Sequence, residues 1–334
     1  LLVQENYLTG TIPAMLGKYI TKLSALTVNG NMLHGTLPSH LSTLSKLAKL
    51  SLQDNRLSGS LEGVFNHTTQ IKLDNIDISN NQFTGSLPGE IFLLPKLNTF
   101  VCITSCLSGG IPAEICNNKS EAKTIILDAL HSDTRCGKES WFKPKKTFGG
   151  TIPHCIWTLP QIKTMHLSGN SLEGSLPSDL TVPEGMFHLD LCHNSLTGTI
   201  PRAIQNRSWY IIDLSDNKFH GDLIDSFDRN FGVNYTFPID VDNISLTINS
   251  EERELNLQIN RLSGMIPRSI QRLLHVDLVS GNLFSCKLDR SDLPSADSGD
   301  NTYTCGSTAF DLPYYAWLGT LCLTLVSACY LSSA

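Results

Sequence analysis

Two neighbouring pairs in the chain, His154-Cys155 and Cys192-His193, place a thiol beside an imidazole. These are the residue types of a cysteine nucleophile and its base. Adjacent residues on an extended chain point to opposite sides, and no third group is spaced to orient either ring, so neither pair reads as a catalyst. Cys116, His131 and Cys136 could donate to zinc but lack the paired spacing of a zinc site. The glycines come one per repeating unit ahead of proline turns, not in a phosphate-cradling loop, and no metal or cofactor is expected. What remains are groups that bind. The run Trp141-Phe142-Lys143-Pro144-Lys145-Lys146 suits an acidic partner or polyanionic glycan, with Lys143, Lys145 and Lys146 as charges and Trp141 as anchor. The plainer reading is a decorated loop folded over the outer side.

The elements that must position such groups are written as a repeat. Met165-x-Leu167-x-x-Asn170-x-Leu172-x-Gly174-x-Leu176-Pro177 recurs 24 residues later as Leu189-x-Leu191-x-x-Asn194-x-Leu196-x-Gly198-x-Ile200-Pro201. The alternating apolar pair is the period of a short, half-buried strand. The Asn that follows can be buried only if its amide is fully hydrogen-bonded, and neighbouring coils offer the backbone groups. One unit cannot bury its own Leu row; units stacked about 4.8 Å apart can. The ladder positions are Asn6, Asn31, Asn55, Asn81, Asn170, Asn194, Asn217 and Asn260, with Ser105 in place of one Asn. Spaced Leu between units, such as Leu41, Leu44 and Leu47, predict short helical or 3₁₀ turns on the outer side.

Two stretches break the rhythm, 116–150 and 224–254. In the first, Ile125 and Leu127 look like a strand with no Asn after it. In the second, Ile244–Ile248 could pair as a hairpin with Leu255–Ile259, or Leu255, Leu257 and Asn260 could continue the repeat. Both alternatives stay open at this level. The last unit, Val276 and Leu278 before Gly281-Asn282, is out of register by one residue.

Residues between the buried strand positions face outward from the inner sheet. The candidates there for binding a partner are Asp54, Asp77, His166, Asp190, His193, Asp213, Asp216 and Asn256. The face is polar, mildly acidic towards the C-terminal half and short of the aromatics that usually anchor protein partners. Each of these residues taken singly also reads as a solvated strand position.

Bulk properties narrow the class. The 334 residues carry a net charge of −6, which argues against a phosphate-bound nucleic-acid binder. Ten Cys and the sequons at Asn66, Asn118, Asn206, Asn234 and Asn243 favour glycosylation and an oxidising, secretory route. Cys286 and Cys305 bracket an acidic, Ser-rich segment and are expected to pair as a C-terminal cap; Cys116–Cys136 is the pairing expected at the first interruption. Leu1 already lies inside a repeat, so a further segment or a partner is expected to cover that end. Leu312–Leu331 holds no charge, is long enough to span a bilayer and opens with Tyr314, Tyr315 and Trp317. It reads as a transmembrane anchor or, alternatively, as a tail exchanged for a lipid anchor.

The LxxNxLxGxIP sentence resembles the plant-type leucine-rich repeat family. That family includes ectodomains of receptor kinases, kinase-lacking receptor-like proteins and secreted inhibitors of cell-wall-degrading enzymes; algal and protist surface proteins use a similar repeat. The likeness covers most of residues 1–285, in about ten to eleven units. It implies an α/β solenoid, a right-handed superhelix with a parallel inner β-sheet and convex turns or 3₁₀ helices. It would be followed by a cap and juxtamembrane segment over 286–311 and a membrane segment over 312–334. It also implies non-catalytic recognition of a protein, peptide or glycan at the cell surface. A structural subunit of an extracellular or membrane-associated assembly is the alternative.

Overall fold

The structure, a computed structural model, describes residues 1–117, 121–131, 136, 147–225, 253–287 and 289–305, and the backbone of 235–238 and 245–248. Its main layer is a ten-stranded parallel sheet in strict chain order. The strands are Ala25–Thr27, Lys49–Ser51, Asn75–Asp77, Thr99–Ile103, Thr124–Asp128, Thr164–His166, His188–Asp190, Ile211–Asp213, Glu254–Asn256 and Val276–Asp277. The alternation read from sequence becomes burial here: Leu50, Leu52, Ile76, Ile78, Leu189 and Leu191 are fully inside. Each coil then makes a second short strand. These form two five-stranded parallel sheets, one from Thr9–Gly10 to Cys106–Leu107 and one from Gly149–Thr151 to Arg261–Ser263. Gly174 adopts φ +88° at this second strand, and a Cβ there would come within 3.2 Å of the Thr151 Cγ2 in the preceding coil.

The outer side is closed by short helical turns. The 3₁₀ helices Ser39–Thr43 and Gly89–Leu93 follow Pro38 and Pro88, whose fixed φ of −67° and −73° starts the turn without needing a donor. Leu41, Leu44 and Leu47 point from this side into the same core as the strands.

The Asn ladder is visible bond by bond. Asn81 donates Nδ2 to Leu52 O, Ile78 O and Ser79 O at 2.9, 3.3 and 2.9 Å, and its Oδ1 accepts Leu57 N at 3.0 Å. Asn31, Asn55, Asn217 and Asn260 repeat this pattern and are buried. Three positions differ from expectation. Asn6, in the first coil, is exposed and reaches only its own coil, at Val3 O and Gln4 O. Asn170 and Asn194 make the inter-coil bonds but are half-buried. Asn282 joins the ladder despite its slipped register: its Nδ2 reaches back four residues to Leu278 O at 2.7 Å.

At both interruptions the main sheet continues through the described residues. Thr124–Asp128 pairs on both sides, and the fully buried Leu130 stands where the ladder Asn would be. Glu254–Asn256 pairs with Ile211–Asp213, so the repeat wins over the hairpin; Ser245–Ile248 instead pairs antiparallel with Tyr235–Pro238. Burial decides this, because Leu255 and Leu257 are both 0% exposed in the stack.

The disulfides correct one expectation. Cys116 pairs with Cys155, not with Cys136, and Cys136 pairs with Cys106. Cys116 and Cys155 lie on the 3₁₀ turns Ala113–Asn117 and His154–Thr158, which pack against each other on the outer side. Their Cα atoms are 5.3 Å apart, within disulfide reach. With Cys116 and Cys136 both oxidised, neither offers a thiolate to a metal. Cys286 is bonded to Cys305. The segment between them closes the last coil through Asp297, whose Oδ2 accepts Leu278 N at 2.7 Å and Val279 N at 2.9 Å. The buried Tyr303 hydroxyl donates to Asn282 O and Phe284 O. The first coil, in contrast, leaves Leu1, Leu2, Tyr7 and Leu8 exposed.

Among the described residues no helix is long and apolar enough to cross a membrane. The segment 312–334, the run Trp141, Lys143, Lys145 and Lys146, and the sequons Asn118, Asn234 and Asn243 lie outside the described residues.

Candidate functional site

Parallel pairing aligns one outward row across the open face of the ten-stranded sheet. Ile126 sits beside His166, His166 beside Asp190, Asp190 beside Asp213, Asp213 beside Asn256 and Asn256 beside Asp277. Four of the expected candidates, His166, Asp190, Asp213 and Asn256, are therefore neighbours. Asp77 lies on the same face, but Val101 and Ile126 separate it from His166.

Two further residues complete the cluster. Asp128 Oδ2 stands 3.5 Å from His166 Nδ1, with both side chains mostly buried. His188, two residues before Asp190, meets the His166 ring edge-on at a centroid distance of 4.1 Å. His166 Nε2 is enclosed and has no hydrogen-bond partner. Each Asp also has a backbone task. Asp77, Asp190 and Asp213 each use Oδ1 to accept the amide N–H two residues on, and Asp128 Oδ1 accepts Ser168 N from the next coil. These bonds end the strands and fix the carboxylates. Asp213 Oδ2 takes an N–H from Asn256 at 3.1 Å.

The turn column has a different logic. Asp54, His193 and Asp216 are at φ +59°, +53° and +50°, as are Glu5 and Asn80 at +55° and +52°. Every coil turns left-handed just before its ladder residue, and Asp, Asn and His tolerate that region better than most side chains. These side chains also tie coil to coil: His193 Nδ1 lies 2.5 Å from Asp216 Oδ2, and Asn80 Nδ2 donates to Asp54 Oδ1 at 2.7 Å.

Electrostatics argue against thiol chemistry at Cys192 and Cys102. Burial pushes the Asp190 carboxyl up, against its hydrogen bonds to Cys192 and with repulsion from Asp213 and Asp128. Burial and then Asp190 and Asp213 push the Cys192 thiol far up, so it stays a protonated donor and not a nucleophile. Cys102 is likewise an inert core thiol, raised to about 12 by burial. The donor atoms of Asp190, Cys192 and Asp213 lie within 4.8 Å of one another, with a thiol–carboxyl hydrogen bond joining Cys192 to Asp190.

His188 is held at about 4, first by burial and then by His166, with Asp128 opposing. A pH dependence of stability follows. The unfolded ring takes up its proton near 6.5, and the folded ring only near 4. The stability His188 confers is complete above pH 6.5 and is lost as pH falls from 6.5 to 4. At full weight the shift is worth about 3 kcal/mol, and about 2 kcal/mol once the solvent still reaching the ring is allowed for. Urea unfolding at pH 7 and pH 4 should show the wild type losing about 2 kcal/mol more than His188→Gln. Parallel losses in the two proteins would sink the assignment.

Fold and repeat together have the form of a leucine-rich-repeat solenoid. The family model described as Leucine Rich Repeat matches residues 72–94, 161–182 and 186–206. The chain is similar to receptor-like protein 32 of Arabidopsis thaliana, 28% identical over 65% of this chain and 24% of that protein. It thus spans about a quarter of that relative's length. Among solved structures it resembles a plant peptide hormone receptor, RGFR1, in complex with RGF2, with a TM-score of 0.62, 25% identity and coverage of 89% of this chain and 46% of that one. It shares the fold of a plant ice-binding protein with a TM-score of 0.65 and 23% identity, over 89% of this chain and 84% of that one.

Proposed function

We propose that the chain is a non-catalytic recognition module at the cell surface, binding a protein or peptide across the open face of its ten-stranded sheet. The observation that carries this reading is the contiguous row His166–Asp190–Asp213–Asn256, flanked by Asp128 and His188, with its carboxylates fixed by backbone hydrogen bonds. Its carboxylates favour a partner segment bearing basic side chains. The likeness to receptor-like proteins and to a peptide hormone receptor supports the same reading. Membrane attachment through 312–331 and glycosylation at the five sequons are part of the proposal.

A photo-crosslinking residue placed at Asn256 in the full chain on living cells, with a second version at Glu90 on the outer side, tests it. A discrete adduct from position 256 and none from position 90 is the expected result. Adducts from position 90 alone would refute recognition by this face. A stoichiometric partner that survives high salt and detergent would instead favour the structural-subunit reading.

A further inference from the structure

We infer that one edge of the ten-stranded sheet is a docking track for a linear anionic polysaccharide, separate from the acidic face described above. Six consecutive coils each place a lysine at this edge: Lys22, Lys46, Lys72, Lys96, Lys123 and Lys163. The first four occupy one equivalent position, three residues before the strands Ala25–Thr27, Lys49–Ser51, Asn75–Asp77 and Thr99–Ile103. In the next two coils Glu121 and Gln161 take that position and the lysine moves two residues along, to Lys123 and Lys163. Successive coils are joined right at this edge: Asp74 N bonds Ala48 O at 2.9 Å, Asn98 N bonds Asp74 O at 2.8 Å and Lys123 N bonds Asn98 O at 2.8 Å. The lysines therefore repeat at the strand interval of about 4.8 Å.

Lys22, Lys46, Lys72 and Lys96 are exposed and make no ion pair among the described residues. Beside Lys72 and Lys96 lies an open recess of about 390 Å³, lined also by Lys123, Asp74, Asn98 and Glu121, with Ala48 as its apolar wall. Asp74 and Glu121 are the carboxylates of this recess, set against its three lysines. Like charges held one strand apart along a row repel one another, and a chain of matching anions relieves that repulsion all along the row.

The interval favours sugar over peptide. An extended peptide advances about 3.3–3.4 Å per residue and about 6.6–6.8 Å per same-side residue, and neither interval keeps step with the coils. A linear polyuronate carries one carboxylate on every ring, an interval of the same order as one coil, and its hydroxyls suit the Asn98 amide.

The test uses the full chain and immobilised polygalacturonate, with its methyl-esterified form and poly-glutamate as comparison probes. At 0.05 M salt the wild type should bind polygalacturonate over both, with affinity falling as salt rises. The net charge of −6 would repel a polyanion from the molecule as a whole, so retention reports a local basic site, and the triple variant separates this edge from the basic run 141–146. The triple variant Lys46→Gln, Lys72→Gln, Lys96→Gln should bind about tenfold more weakly, at the usual strength of exposed ion pairs. Lys287→Gln, in the C-terminal cap, should bind as wild type. Unchanged binding by the triple variant, or no binding by the wild type, overturns the track. Equal or tighter binding of poly-glutamate overturns the polysaccharide assignment.

Discussion

Replacing Asn81 with Ala should destabilise the solenoid by about 3–5 kcal/mol, whereas Asn6→Ala should cost no more than about 0.5 kcal/mol. The amide of Asn81 is fully enclosed and serves three carbonyls and one amide N–H. Removing it strands Leu57 N and Ile78 O inside the protein, each at the cost of about 1–3 kcal/mol for a buried unsatisfied group, while Leu52 O keeps its bond from Asn55 Nδ2. Leu57 N and Leu52 O belong to the preceding coil and Ile78 O to Asn81's own, so the loss falls on the junction of two coils, where a stacked array is held together. Asn6 has the same residue type and the same place in the repeat, but its amide is exposed and bonds only within its coil. Urea unfolding read by circular dichroism would measure both variants. Equal effects at positions 6 and 81 would mean that inter-coil bonding is not what the Asn contributes.

The repeat was legible because its physics is local. A Leu pair at period two, a short amide-bearing side chain and a Gly-x-Ile/Leu-Pro turn each state a backbone requirement within about a dozen residues, and stacking follows from having many copies. The candidate site was legible only in part. His166, Asp190, Asp213 and Asn256 fall in a column that the Asn register aligns. Asp128 and His188 were missed for separate reasons. The strand Thr124–Asp128 has no Asn after it, so its outward residues have no register mark, and only pairing with Thr99–Ile103 and Thr164–His166 supplies one. His188 stands two residues before Asp190 and meets His166 diagonally across two coils, a contact set by packing and not by spacing. The turn residues Asp54, His193 and Asp216 read as binding groups from their polarity, and the left-handed backbone gives their types a structural reason that sequence alone does not display.

Cysteine pairing was the least legible feature, and it carries the second large effect. Cys106–Cys136 closes a separation of 30 residues and Cys116–Cys155 one of 39. The two intervals overlap, so each bond restrains the segment that the other encloses. On chain-entropy grounds, loops of these lengths stabilise by about 3–4 kcal/mol each. The double variant Cys106→Ser, Cys136→Ser should lose about that amount, and the loss should be concentrated in the coils around the interruption. Cys106 is 5% exposed beside the core, so its Ser hydroxyl also needs a hydrogen-bond partner, and Cys106→Ala, Cys136→Ala should be the milder form of the same experiment. Native-state hydrogen exchange separates local from global consequences. Faster exchange at Leu107 and Leu130, with amides at Leu26 and Leu50 unchanged, is the expected pattern. Uniform acceleration along the chain would show instead that the solenoid unfolds as one unit and that the disulfides act on the whole stack.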